Sequence, residues 1–316
     1  MFKLKNFWLS GGRLFWAGMF LLLAVRFMEC TEIKPAGFFR IDYCNDGQLS
    51  TLTISQMRLG LKGNITEKYQ FQTSLELTST SGPNNLMLYD AYLNMDWKYF
   101  FLRAGQYKYR LGLEQSTADD NLELINKAAV VLNLISPTRD IGLEVAKKFS
   151  LPFSPELYLS VINGEGANKI DVNQAKTFVG RFLFAPLKDI QLGISFYDGS
   201  VSSPTAVNKD RLGAELKYEK YPLLVKGEYL TGQDDSRRSY GYYGTCGYNL
   251  TKEILALARY DVFDPDTAKS ADTAERWTFG LNYLLDKDIV LQADYENKQQ
   301  STTTDGLLTT QIQVKF

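Results

Sequence analysis

The stretch "LLTTQIQVKF" (307–316) alternates strictly: Leu308, Thr310, Ile312, Val314 and Phe316 fall on one side, and Thr309, Gln311, Gln313 and Lys315 on the other. A period of two describes a β-strand with unlike faces. A strand in water would not present a terminal Phe on its solvated face. The apolar face therefore calls for a solvent other than water.

The same alternation recurs along the chain in segments of about ten residues. In "KYQFQTSLELT" (68–78), Tyr69, Phe71, Leu75 and Leu77 oppose Gln70, Gln72, Ser74 and Glu76. "IQLGISFY" (190–197), "RLGAELKY" (211–218) and "RWTFGLNY" (276–283) repeat the pattern. In each, the polar face carries mid-strand charge or amide groups and the other face almost none. A soluble β-sandwich also alternates, but with its apolar face filling a core; a pair of such sandwiches is the competing reading.

The spacing predicts sixteen strands between residues 37 and 316, among them a fifth over 99–109, a sixth over 138–149 and a last over 307–316. Short turns are expected near Trp97-Lys98, Pro186-Leu187, Lys220 and Leu285-Asp286. Longer polar links such as "STSGPNN" (79–85), "TGQDDSRR" (231–238) and "KQQSTTTD" (298–305) are expected at the other end. An even strand count with short turns on one side and long links on the other predicts an all-β fold. That fold is a transmembrane 16-stranded antiparallel β-barrel with short periplasmic turns and long external loops. Lipid is then the missing solvent, and a closed barrel satisfies every backbone group within it. Aromatics, 13% of the chain, gather at strand ends, as at Trp97, Tyr99, Tyr218, Tyr248 and Tyr283, where an interfacial ring has both of its environments.

Composition removes several function classes. The chain of 316 residues contains no His, which withdraws Ser-His-Asp and Cys-His catalysis and His-ligated metals. A net charge of −1 gives no field for nucleic acid. Cys30, Cys44 and Cys246 have no metal-ligand or CxxC spacing, and no cofactor is expected. Lys3, Lys5 and Arg13 precede an apolar run over 14–25, the order of a secretory signal peptide. The expectation is a signal peptide over 1–30, cleaved somewhere near 26–32, and export to the outer membrane of a Gram-negative bacterium.

Three stretches resemble the phosphate-selective porin O/P family: "QMRLGLKGNITEKYQFQTSLEL" (56–77), "YDAYLNMDWKYFFLRAGQYKYRLGLEQS" (89–116) and "RDIGLEV" (139–145). The resemblance implies a sixteen-stranded homotrimeric porin whose third external loop, here 110–137, folds into the lumen as a constriction. It implies that small anions or other hydrophilic solutes pass through, and that outer-membrane lipid surrounds the barrel. It also implies that the barrel-assembly machinery reads the last strand, ending in Phe316. Arg58 matches a position of the family's arginine ladder, Asp90 its acidic constriction residue, and Lys127 falls where the family has an arginine. Gln115 stands where a binding lysine is expected, and Asp119, Asp120 and Glu123 make the loop acidic. That departure separates channel function from phosphate preference.

With the polar faces inward, the pore-lining and anion-binding candidates are Arg58, Lys62, Asp90, Lys108, Arg110, Lys127, Arg181, Arg211, Arg259 and Arg276. Acidic residues nearly balance the inward basic ones, so charge at the constriction decides selectivity. Each lumen Arg could equally serve as a cross-strand ion pair. In the fifth strand Arg103 and Lys108 fall on opposite faces, and the reading places Lys108 inward. Tyr92, Tyr197 and Tyr243 are the inward aromatics that a sugar-preferring channel would use. An enzyme barrel and a plugged structural barrel complete the alternatives.

Overall fold

The computed structural model describes residues 32–77, 86–202, 206–270, 272–301 and 303–316. The segment read as a signal peptide, with Cys30, lies outside them, as does the link at 79–85. Among the described residues sixteen strands form one closed antiparallel barrel in which each strand pairs with its sequence neighbours. They are β1 (Glu32–Asn45), β2 (Ser50–Thr66), β3 (Tyr69–Leu77), β4 (Leu86–Trp97), β5 (Phe100–Lys108), β6 (Arg139–Lys148), β7 (Glu156–Ile162) and β8 (Thr177–Leu187). The second half comprises β9 (Ile190–Val201), β10 (Val207–Lys220), β11 (Leu223–Asp234), β12 (Arg237–Asn249), β13 (Ile254–Asp264), β14 (Ala274–Asp286), β15 (Ile289–Gln300) and β16 (Thr303–Lys315). The barrel closes where β1 meets β16, with the Phe316 N–H donating to the Gly37 carbonyl and the Gly37 N–H to the Phe316 carbonyl, both at 3.0 Å.

Burial is inverted relative to a soluble protein. Ile194, Leu212 and Phe279 are 58%, 61% and 53% exposed, whereas their chain neighbours Ser195, Arg211 and Thr278 are 3%, 6% and 0% exposed. The apolar face of every alternating segment quoted above points out of the barrel and the polar face into it. This is the arrangement that lipid outside and a polar lumen demand, and it excludes the paired sandwiches.

Two expectations about the connections change. The barrel starts at Glu32, earlier than residue 37. The polar stretches 231–238 and 298–305 are not long links: β11 and β12 are separated by Asp235 and Ser236 alone, and β15 runs to Gln300 with β16 resuming at Thr303. Asp234 pairs with Arg237, and Gln300 with Thr303. At this end the strands outrun the lipid, so both faces turn polar while the hydrogen-bond ladder continues.

The longest link joins β5 to β6 across residues 109–138 (L3), one residue wider at each side than the expected 110–137. It contains two short helices, α1 (Leu113–Ser116) and α2 (Ala129–Leu134), and a 3-10 turn over Asp119–Asn121. L3 supplies the molecule's main apolar core. Leu111, Ala128, Val130, Val131, Leu134 and Ile135 pack with Tyr197, Leu230 and Tyr243 of the barrel wall. Small wall residues leave the sockets. A Cβ on Gly241 would come within 2.7 Å of the Val130 side chain, and one on Gly280 within 2.4 Å of Leu124. Both distances are far inside van der Waals contact.

Candidate functional site

L3 crosses the lumen, and its two sides meet different walls. On the β10–β16 wall it is fastened by hydrogen bonds at Leu113 and Glu114, along 122–129 and at Leu134. Glu228 accepts the backbone N–H of Leu113 and of Glu114, Asp261 that of Ala129 at 3.0 Å, and Asp294 that of Ile125 at 2.7 Å. The wall cations take the carbonyls: Arg211 donates to Leu134, Arg259 to Asn126 and Arg276 to Lys127, each at 2.8 Å. Lys226 pairs with Glu123. A loop held inside a barrel must pair its backbone groups with something, and here inward charges of β10, β11, β13, β14 and β15 do so.

On the β1–β6 wall the loop edge stands off, leaving a cavity of about 320 Å³. The barrel contributes Arg58, Arg103, Lys108 and Arg139, together with Asp90 and Tyr92; the loop contributes Arg110, Ser116, Asp119 and Asp120. At its centre is the Asp119 carboxylate. It accepts hydrogen bonds from Arg58 Nη2 at 2.8 Å, Lys108 Nζ at 2.8 Å and the Tyr89 hydroxyl at 3.1 Å. Lys127 Nζ lies at 3.4 Å and Arg139 Nη2 at 3.8 Å. Burial pushes this carboxyl up, but Lys108, Lys127, Arg58 and Arg139 together hold it well below the usual carboxylate range.

Two local features build this wall. A β-bulge shifts the register so that Ser74 pairs with Asp90 and Leu75 with Leu88, leaving Tyr89 as the extra residue. Such a bulge re-aims side chains, and here Tyr89 and Asp90 both reach the site. The Tyr89 ring lies between two guanidinium groups, Arg58 at 3.8 Å and Arg139 at 3.4 Å from its centroid, a cation–π arrangement on both faces. Asp90 in turn accepts from Arg139 Nε and from Ser74 Oγ, both at 2.9 Å.

The second feature is Gly105, at φ +127°. A Cβ there would lie 2.2 Å from the Ala91 carbonyl oxygen, so only glycine fits. Pairing between β4 and β5 reaches Ala91↔Gln106 and goes no further toward L3. Beyond Gly105 the strand leaves β4 and leans into the lumen. Arg103 and Lys108, of opposite parity, therefore both line the cavity. Lys108, expected inward, and Arg103, expected on the other face, are both at the cavity; Arg103 Nε donates to Asn94 at 2.9 Å, and its guanidinium lies over Tyr92.

The sequence-predicted residues thus separate into groups. Arg58, Asp90, Lys108 and Arg110 come together at the cavity, and Lys127 reaches the same carboxylate from the loop. Lys62 lies towards the β2–β3 turn, in a smaller recess with Lys34, Gln70 and Asn94. Arg211, Arg259 and Arg276 are on the other wall, bonded to L3 carbonyls, and Arg181 forms a buried pair with Glu215. Gln115 is fully buried, donating to the Thr138 carbonyl and accepting from Lys127 Nζ, both at 3.1 Å, and does not line the cavity. Tyr197 and Tyr243 are packed against L3, which leaves Tyr92 as the cavity's aromatic among the three named. Sequence reading missed Tyr89 and Arg139 and put Arg103 on the outward face, because each departs from alternation at the bulge, the first residue of β6 or the Gly105 bend.

Residues 36–212 match the family model described as phosphate-selective porin O and P. No curated protein matches. Among solved structures, the fold is similar to that of an anion-selective porin from Comamonas acidovorans, at TM-score 0.72 and 11% identity, covering 90% of this chain and 99% of that one. It is similar also to the outer membrane protein OmpT of Vibrio cholerae in its trimer form, at TM-score 0.70 and 9% identity over 90% and 99% of the two chains. The outer membrane channel DcaP of Acinetobacter baumannii gives TM-score 0.65 and 13% identity over 90% and 97%.

Proposed function

The chain belongs to the phosphate-selective porin O and P family and is an outer-membrane porin, and on that premise we propose that small hydrophilic solutes cross it by passive diffusion along the β1–β6 wall, with a preference for anions. The observation that carries this reading is the cavity between that wall and L3, where Arg58, Arg103, Lys108, Arg110 and Arg139 face Asp90, Asp119 and Asp120. Charges lining a narrow, poorly hydrated passage act on ions more strongly than in bulk water. L3 serves as the constriction, and the chain carries out no chemistry. Reconstitution into planar bilayers under a KCl gradient tests the proposal: the expected result is ohmic, stepwise conductance reversing on the anion side. Silent membranes, or reversal on the cation side, would overturn it.

We further infer a homotrimer, with outer-membrane lipid against the exposed apolar face and assembly through the strand that ends in Phe316. Light scattering of the detergent-solubilised protein checks the trimer, and Phe316→Ala checks assembly through loss of folded barrel in cells. A second reading, a barrel plugged by L3, is favoured by the density of bonds between L3 and the β10–β16 wall. Liposome swelling separates the two, since a plugged barrel folds normally and admits no solute.

A further inference from the structure

We propose that Asp119 is an internal occupant of an oxyanion site: its carboxylate fills the place where Arg58, Lys108, Lys127 and Arg139 converge, and a passing oxyanion must exchange with it. This rests on the porin reading above and adds to it which group sets the selectivity.

The charges around Asp119 are out of balance. Four cations and the Tyr89 hydroxyl, from β2, β4, β5, β6 and L3, surround one carboxylate. Glu76 is shared with Arg58 and Asp90 with Arg139, which still leaves one positive charge in excess. Arg139 Nη1 is buried and has no hydrogen-bond partner among the described residues. An unpaired buried donor is unfavourable unless something supplies an acceptor. A tetrahedral oxyanion offers more acceptors than a carboxylate and suits guanidinium and ammonium donors. The adjoining cavity of about 320 Å³ has room for it, being roughly ten times a water molecule's share of the liquid.

The backbone at this point is held independently of the Asp119 side chain. Arg40 donates to the Asp119 carbonyl, Lys108 to the Thr117 carbonyl at 2.6 Å and Gln313 to the Asp120 carbonyl at 3.0 Å. Exchange therefore requires rotation of one side chain, not movement of L3. It also has a consequence for transport. The displaced carboxylate stays tethered beside the site and competes for the same donors, which shortens the solute's residence. Conduction needs binding that is favourable enough to admit a solute and weak enough to release it.

The test is the chloride current through single channels of wild type, Asp119→Asn and Asp120→Asn, with inorganic phosphate titrated in. Asp119→Asn is expected to shift the reversal potential towards anions and to be blocked by phosphate at about tenfold lower concentration than wild type. Tenfold is the loss of one charged competitor at about 1.4 kcal/mol. Asp120→Asn removes a charge from the same cavity without vacating the four-cation site, so it should shift reversal slightly and add no block. Equal phosphate sensitivity of Asp119→Asn and wild type, or indistinguishable behaviour of the two variants, would overturn the proposal. A wild type that forms no conducting pore would instead defeat the porin reading on which it rests. Arg139→Gln gives a second route should Asp119→Asn fail to assemble. With the excess charge removed, its reversal potential should move towards cations, and an unchanged value would count against an overcharged site.

Discussion

On the β10–β16 wall, Glu228, Asp261 and Asp294 accept backbone N–H groups of L3, and Arg211, Arg259 and Arg276 donate to its carbonyls. Across the lumen, Arg58, Lys108 and Arg139 point at one carboxylate beside an open cavity. Both walls carry inward Arg and Lys at alternating positions, and nothing in composition separates them. The difference lies in what each wall faces. One set faces a backbone whose polar groups need partners, so its charges are consumed in fixing the loop. The other holds L3 at fewer points, Arg40 and Lys108 on the Asp119 and Thr117 carbonyls, and borders a cavity, so its charges lie within reach of solutes. The same residue types act as scaffold on one side and as filter on the other.

The largest effect should come from breaking the scaffold. Gly280→Leu places a side chain where Leu124 now sits, its Cβ meeting the side chains of Leu124 and Asp294. Overpacking of this kind costs about 1–3 kcal/mol per site, enough to lift L3 from the wall while the barrel ladder persists. Single-channel conductance should rise severalfold, with selectivity reduced. Unchanged conductance would mean that L3 does not limit the passage.

Next in size are two variants, one that removes two cations at the cavity and one that removes a cation on the opposite wall. Arg58→Gln with Lys127→Gln should lower the anion-to-cation permeability ratio by about tenfold, the equivalent of roughly 1.4 kcal/mol, and should also lower the melting temperature, because Arg58 is buried against Glu76 and Asp119. Arg259→Gln should lower the melting temperature and leave the permeability ratio nearly unchanged. Its guanidinium is fully buried against Glu114 and Asp261, and breaking a buried pair costs about 3–5 kcal/mol, so the melting temperature falls. If the two variants moved reversal potential equally, the distinction between the walls would collapse.

The barrel was legible in the sequence because lipid and lumen impose opposite demands at every second residue, and the contrast recurs in strand after strand, as at Ile194/Ser195, Leu212/Arg211 and Phe279/Thr278. Where that contrast ends, legibility ends too. Gln233, Asp234, Arg237 and Arg238 are paired strand residues, yet polar on both faces, so they read as a loop. At the candidate site alternation itself is broken. The bulge at Tyr89 and the bend at Gly105 each reverse parity locally, and a rule that counts by twos assigns the residues beyond them to the wrong face. Arg58, Asp90 and Lys127 were found through the family resemblance. Tyr89 and Arg103 had no such signal, and Gln106-Tyr107-Lys108 next to a glycine was the only hint of a bend.

A smaller, sharper probe of the filter side is pH. Asp119 lies in L3 and faces Arg58, Tyr89, Lys108, Lys127 and Arg139. Its carboxyl is held well below the usual range. A depressed folded value means that its ionised contacts contribute in full above the ordinary Asp pKa of about 3.9 and are lost only as pH falls through the folded value. The stability gap between wild type and Asp119→Asn should therefore persist from neutrality down to about pH 4 and close below it. A gap that closes between about pH 6 and about pH 4 would show that the four cations do not hold this carboxylate as the geometry requires.

The smallest effect belongs to Lys62, which shares the filter wall's strand β2 but sits in the recess with Lys34, Gln70 and Asn94 towards the short-turn end. Its side chain is exposed and makes none of the contacts that converge on Asp119. A charge in that position concentrates anions near the mouth through long-range attraction, an influence that salt screens within about 10 Å at 0.1 M and about 3 Å at 1 M. Lys62→Gln should therefore reduce chloride conductance modestly at low ionic strength and leave it unchanged at about 1 M. Arg58→Gln, acting at closer range where little water intervenes, should keep much of its effect at high salt. A Lys62 effect that survives high salt would extend the filter down the wall to the mouth. Its disappearance would confine the filter to the few residues gathered by the bulge at Tyr89 and the bend at Gly105.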